Sequence, residues 1–182
     1  MSRQVLFIQG GGDGGYEADK ALVVSLQNAL GKGYVVHYPI INTDETAPDF
    51  GWVDQIGRHI AAAKENIILV GHSFGASMII KYLSEHITEK KMAGIFLIAT
   101  PFWNGNEKWK EGLKLSATFA EKLNKKIPIF FYHCRDDEEV SFSDLALYKE
   151  KLSHATVRVI SQGGHQLGND LRSVAQDITL IC

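Results

Sequence analysis

The chain is 182 residues long, 45% hydrophobic and 22% charged, with a formal charge of −2. That balance fits one globular domain, expected over residues 1–182, with a single sizeable core. It excludes nucleic acid and acidic membrane surfaces as partners. The lysines (Lys90 and Lys91; Lys108, Lys110 and Lys114; Lys122, Lys125 and Lys126) are flanked or separated by acidic or apolar residues and read as solvated helix faces.

No apolar stretch reaches the roughly 20 residues of a transmembrane helix, and the first residues lack the apolar run of a secretory leader. Two distant cysteines, Cys134 and Cys182, give neither a disulfide framework nor a metal-ligand spacing, so a reducing cytoplasm is expected. Six short apolar runs, 5–8, 34–38, 67–70, 94–99, 127–132 and 156–160, alternate with segments of helical period. Each is apolar without polar alternation, which predicts strands covered on both faces. Strand-then-helix repetition predicts a mainly parallel sheet between two helical layers, a three-layer α/β/α sandwich.

The first run leads into Gln9-Gly10-Gly11-Gly12-Asp13-Gly14-Gly15, then a helical segment with Ala21, Val24, Leu26 and Leu30 on its apolar face. Gly10, Gly12 and Gly15 satisfy the dinucleotide-binding fingerprint, which makes a Rossmann-type protein the rival reading. That fingerprint wants an acid at the end of the second strand. Here the strand ends Tyr38-Pro39-Ile40-Ile41 and the first acid is Asp44. The second and fourth runs are followed by irregular stretches, 41–51 and 101–106, on the side of a parallel sheet where ligands bind.

The third run passes directly into Gly71-His72-Ser73-Phe74-Gly75 and a helix carrying Met78, Ile79, Tyr82 and Leu83. A serine two residues from glycine on each side, between strand and helix, is the nucleophile-elbow pattern. Small residues at Gly71, Gly75 and Ala76 relieve the crowding such a turn creates, and the helix start supplies N–H groups near the serine oxygen. The plainer alternative is a serine that only caps its helix.

A serine hydroxyl needs a base. His165, in Gly163-Gly164-His165 after the sixth run and before a helix with Leu171, Val174, Ala175 and Ile178, projects from the same sheet edge as Ser73. His72 is expected to point away into packing, and His37 and His133 to be satisfied core histidines. His59, His86 and His154 fall on polar segments and read as surface residues. The base needs an acid to fix its tautomer. The fifth run ends in His133-Cys134-Arg135-Asp136-Asp137-Glu138-Glu139-Val140, where Asp137 is preferred and Asp136 is the reserve. A metal site from His133, Cys134 and Asp136 lacks a second ligand cluster, so no metal is expected. The oxyanion of an acyl transfer needs N–H donors, expected from Gly11, with Gly12 a near alternative, and from Phe74. Phe102, Trp103 and Trp109 are candidates to line an acyl or leaving-group pocket, with core packing the competing reading.

On these residues the chain resembles the α/β-hydrolases, and among them the small serine hydrolases similar to retinoblastoma-binding protein nine. The resemblance runs from Gln4 to the last helix and rests on the glycine-rich loop, residues 71–76, Asp137 followed by Val140, and residues 163–165. It implies a trimmed sheet of six parallel strands and a small or absent lid; no cofactor is expected. Two positions depart from the pattern. Gln9 stands where larger hydrolases often have a histidine before glycine, and Ser141 where a proline commonly follows the valine. The expected activity is cleavage of small esters or thioesters through an acyl-enzyme, on a small-molecule acyl substrate. A binding protein on a hydrolase scaffold is the reading from a different class.

Overall fold

The structure is a computed structural model that describes residues 2–12 and 14–181. Asp13 of the glycine-rich loop and Cys182 lie outside the described residues. Six strands, β1 (Arg3–Ile8), β2 (Tyr34–His37), β3 (Ile67–His72), β4 (Met92–Ile98), β5 (Ile129–Cys134) and β6 (Thr156–Ile160), form one sheet in the order β2-β1-β3-β4-β5-β6. All five pairings are parallel. Among the described residues seven α-helices connect or follow them: α1 (Gly15–Ala18), α2 (Lys20–Leu30), α3 (Trp52–Ala62), α4 (Ser73–Glu85), α5 (Phe119–Lys122), α6 (Phe142–Lys151) and α7 (Arg172–Ile181). Among the described residues no helix is long and apolar enough to cross a membrane.

Side chains alternate across a pleated strand, so each inner strand feeds two cores. Val5 and Phe7 of β1, Ile68 and Val70 of β3, and Phe96 and Ile98 of β4 meet Leu22, Leu26 and Leu30 of α2 and Val174 and Ile178 of α7. Leu6 and Ile8, Ile67 and Leu69, and Ile95 and Leu97 face the other way. They meet Trp52, Ile56 and Ile60 of α3, Met78 and Ile79 of α4, and Tyr148 of α6. Each fully buried aliphatic or aromatic side chain contributes about 1.5–3 kcal/mol, and these two cores hold both helical layers on the sheet.

Three expectations are corrected. Only the inner strands are covered on both faces. The edge strand β2 alternates between half-buried and exposed residues, leaving Val35 42% exposed, and β6 leaves Val159 44% exposed. His37, expected as a satisfied core histidine, is exposed on that edge strand. The apolar face of α2 runs through Leu22, Leu26 and Leu30, spaced four apart, while Ala21 and Val24 point to solvent.

Strand order reverses at β1, with β2 on one side and β3 on the other, so the connections leaving β1 and β3 diverge and open a crevice at their C-terminal ends. The segments that follow β1, β3, β5 and β6 carry the glycine-rich loop, Ser73, Asp137 and His165 respectively, all at that one edge.

Candidate active site

β3 passes into α4 with no intervening loop, and Ser73 makes the turn in a left-handed backbone conformation, φ 49°. A non-glycine residue there costs roughly 1–3 kcal/mol and persists only when its surroundings dictate it. They do so by crowding. A Cβ on Gly71 would lie 2.7 Å from the Ala76 Cα, and one on Gly75 would collide with the carbonyl of Gln9. The first turn of α4 therefore lies directly against the exit of β1.

The His165 Nδ1 lies 3.0 and 3.1 Å from the two carboxylate oxygens of Asp137. The Asp137 side chain is fully buried and that of His165 is 13% exposed. Asp137 Oδ1 also accepts the N–H groups of Glu139 and Val140, each at 2.9 Å. His133 Nε2, 3.0 Å from the Val140 carbonyl, lies 3.3 Å from Asp137 Oδ2. Burial alone would raise the Asp137 pKa. The hydrogen bonds from His133, His165, Val140 and Glu139 outweigh it and hold the carboxyl well below the usual carboxylate range. An ionised Asp137 only accepts, so His165 carries its proton on Nδ1 and keeps the Nε2 lone pair.

Asp136 takes a different part. Its carboxylate accepts the N–H groups of Gly163, at 3.1 Å, and Gly164, at 3.0 Å, and so fixes the loop that presents His165. Those two bonds lower its pKa.

Ser73 and His165 line one cleft of about 530 Å³, together with Gly11, Phe74, Glu139 and Gln166. No hydrogen bond joins the Ser73 hydroxyl to His165 among the described contacts; such bonds commonly tighten only once substrate is bound. Gly11 lies against the elbow, where a Cβ would come 3.0 Å from the Phe74 Cβ. Phe74 is the second residue of α4, a position whose N–H has no intrahelical acceptor. Gln9 is buried, and its Oε1 accepts the Ile41 N–H at 3.1 Å, tying the glycine-rich loop to the segment after β2.

Sequence reasoning missed a second polar group beneath this cleft. Asp19 and His72 are each 1% exposed. Asp19 Oδ2 accepts the Gly10 N–H at 2.7 Å and meets His72 Nδ1 at 2.9 Å, and Oδ1 accepts from Gln166 Nε2 at 3.2 Å. His72 Nε2 donates to the His165 carbonyl at 3.0 Å. His72 does point into packing, but as a link between loops. In the sequence, Asp19 stood in a polar helix start with nothing to mark it as buried.

Phe102 packs against Phe119 and Tyr148 in the core, whereas Trp103 and Trp109 stand beside the site. Cys134 is buried, and desolvation, reinforced by the neighbouring acids, pushes its thiol up to about 11, so it offers no competing thiolate. Among the described residues no cluster of three His, Cys, Asp or Glu is arranged to hold a metal ion. The dinucleotide fingerprint is not completed, because Asp44 turns its carboxylate onto Thr46.

A six-stranded parallel sheet with a serine on a strained strand-to-helix turn, and a histidine and an acid on later loops of the same edge, defines an α/β-hydrolase fold in its minimal form. Solved structures agree. The ydeN gene product from B. subtilis is 19% identical with a TM-score of 0.79, over 99% of this chain and 98% of that one. The thioesterase domain from the Curacin biosynthetic pathway is 17% identical with a TM-score of 0.73, over 98% and 91%. A bromoperoxidase from Bacillus anthracis is 15% identical with a TM-score of 0.74, over 100% and 92%. No curated protein matches the chain by sequence. The chain belongs to the serine hydrolase family, whose model matches residues 30–170.

Proposed function

We propose that the protein hydrolyses small esters or thioesters through an acyl-enzyme formed on Ser73. His165 Nε2 takes the Ser73 proton as the hydroxyl oxygen attacks the carbonyl carbon. The N–H groups of Gly11 and Phe74 receive the negative charge that forms on the carbonyl oxygen. The protonated His165 then gives its proton to the departing alkoxide or thiolate, and a water activated by the same nitrogen releases the acid and restores Ser73. Asp137 holds the ring and stabilises the imidazolium.

The observation that carries this reading is the double contact of His165 Nδ1 with the fully buried Asp137 side chain, made by a histidine that lines the same cleft as Ser73. A fluorophosphonate probe should label the wild-type protein and fail to label Ser73→Ala, with the variant's circular dichroism unchanged. Equal labelling of both proteins would remove Ser73 as the nucleophile. His165→Ala should lower turnover of p-nitrophenyl acetate by roughly 10³-fold or more, on the precedent of such relays. A twofold loss would take His165 out of the mechanism.

A further inference from the structure

A second pocket, of about 240 Å³, adjoins the Ser73 cleft and shares Gly11, Gly12, Phe74 and Trp103 with it. Its remaining walls are Thr43, Phe50, Trp52 and Trp109, so no charged side chain among the described residues lines it. The rings form one connected cluster around Phe74. Phe74 meets Phe50 at 6.0 Å, Trp52 at 4.8 Å and Trp103 at 5.7 Å between centroids, and Trp103 meets Trp109 at 5.8 Å. Two indole N–H groups are already satisfied, Trp103 on Ser77 Oγ at 2.9 Å and Trp52 on Thr43 Oγ1, within the pocket wall, at 3.4 Å. The pocket therefore presents mostly carbon surface.

We infer that this pocket binds the acyl arm of the substrate, and that the arm is neutral and apolar: an arylalkyl group or an unbranched chain of roughly six to nine carbons, since a cavity of about 150 Å³ already holds benzene. The assignment to the acyl side rests on the mechanism proposed above. The leaving atom must reach His165 to be protonated, and His165 lines the polar cleft and not this pocket. The pocket instead lies against Gly11 and Phe74, the donors to the carbonyl oxygen, where the other substituent of the carbonyl carbon must go. Charge selects the neutral class. An anion would find no cation in the walls. A cation would gain from the ring faces but would find no carboxylate among the described lining residues, and the Lys110 ammonium, paired with Glu107 at 2.9 Å, already lies 5.3 Å from the Trp109 ring centre.

All three tryptophans of the chain line this pocket, so intrinsic fluorescence reports its occupancy without chemistry. In Ser73→Ala, octanamide should shift or quench the emission saturably, and 3,3-dimethylbutanol should do so at lower concentration than choline, its cationic isostere. In the wild-type enzyme, kcat/KM for p-nitrophenyl esters should rise by about fourfold per methylene from acetate to octanoate, then stop rising at laurate. Thr43→Phe, which fills the rim, and Trp109→Ala, which removes the exposed outer wall, should each lower the octanoate-to-acetate ratio at least fivefold. An unresponsive emission, a stronger response to choline, or a ratio untouched by both variants would each overturn the inference. An emission response from a protein that cleaves none of the esters and takes up no fluorophosphonate would instead remove the proposed reaction and keep the ligand class.

Discussion

Asp137 accepts from two imidazoles at once, and the two do different jobs. His165 reaches the cleft; His133 is 1% exposed and meets Asp137, the Val140 carbonyl and the Phe142 ring. His133 is thus a positioning residue that holds the carboxylate in place. Asp137→Asn should keep the fold but allow the wrong His165 tautomer, cutting kcat by on the order of 10⁴-fold. Asp136→Asn keeps one acceptor for the Gly163 and Gly164 N–H groups and should lose only about tenfold, a split that steady-state kinetics on a single ester resolves. Equal losses would assign Asp136 a direct part. The placing of Ser73, the acidic run at 136–139 and His165 at one sheet edge was legible because each follows a strand with its own local pattern, while the sequence alone preferred Asp137 and kept Asp136 in reserve. The role of His133 was not, since a strand-end histidine looks the same in sequence whether it meets solvent, core or a carboxylate.

Between elements, the Asp19–His72 pair couples three loops that the chain order keeps far apart. Asp19, between α1 and α2, holds the Gly10 N–H at the exit of β1, the Gln166 side chain after β6, and the last residue of β3. That residue in turn holds the His165 carbonyl. Asp19→Ala would strand a buried N–H and a buried imidazole, so it should destabilise the protein by about 3 kcal/mol in urea unfolding. It should also lower kcat more than it raises KM, because the Gly11 donor and the His165 base lose their common support. A variant as stable and as active as wild type would show that each loop is held independently. The pair was invisible in sequence because its contacts span 53 and 147 residues and follow no periodicity. The buried stripe of α2 was misread for a related reason. Ala21 and Val24 are apolar and suitably spaced, and only the position of the sheet decides that Leu22, Leu26 and Leu30 face inward.

At the scale of the whole molecule, the alternation of strands and helices was enough to give a parallel sheet, but strand order was not written in it, so the exposed faces of β2 and β6 could not be foreseen. The β6 edge is nonetheless tied down by charge. Asp177 of α7, 5% exposed, accepts from Tyr132 of β5 at 2.7 Å and from Arg158 of β6 at 3.0 and 2.8 Å. The Arg158 hydrogen bonds outweigh desolvation and, with Tyr132, lower its pKa. Asp137 is depressed as well. A carboxyl whose folded pKa lies below its unfolded value, about 3.9, contributes stability that is fully present above that value and is lost as pH falls through the folded pKa. In that acid window the unfolded chain binds the extra proton. Each of the two carboxylates therefore steepens the loss by up to about 1.4 kcal/mol per pH unit. Asp177→Asn should lower stability at pH 7, by cutting the charge on the Arg158 contact, and should flatten the decline between pH 4 and about pH 2. Urea unfolding of both proteins across that range measures the slope directly. Parallel curves for wild type and variant would mean that Asp177 titrates alike in the folded and unfolded chain, and that the α7 anchor rests on the packing of its apolar face, Val174, Ala175 and Ile178.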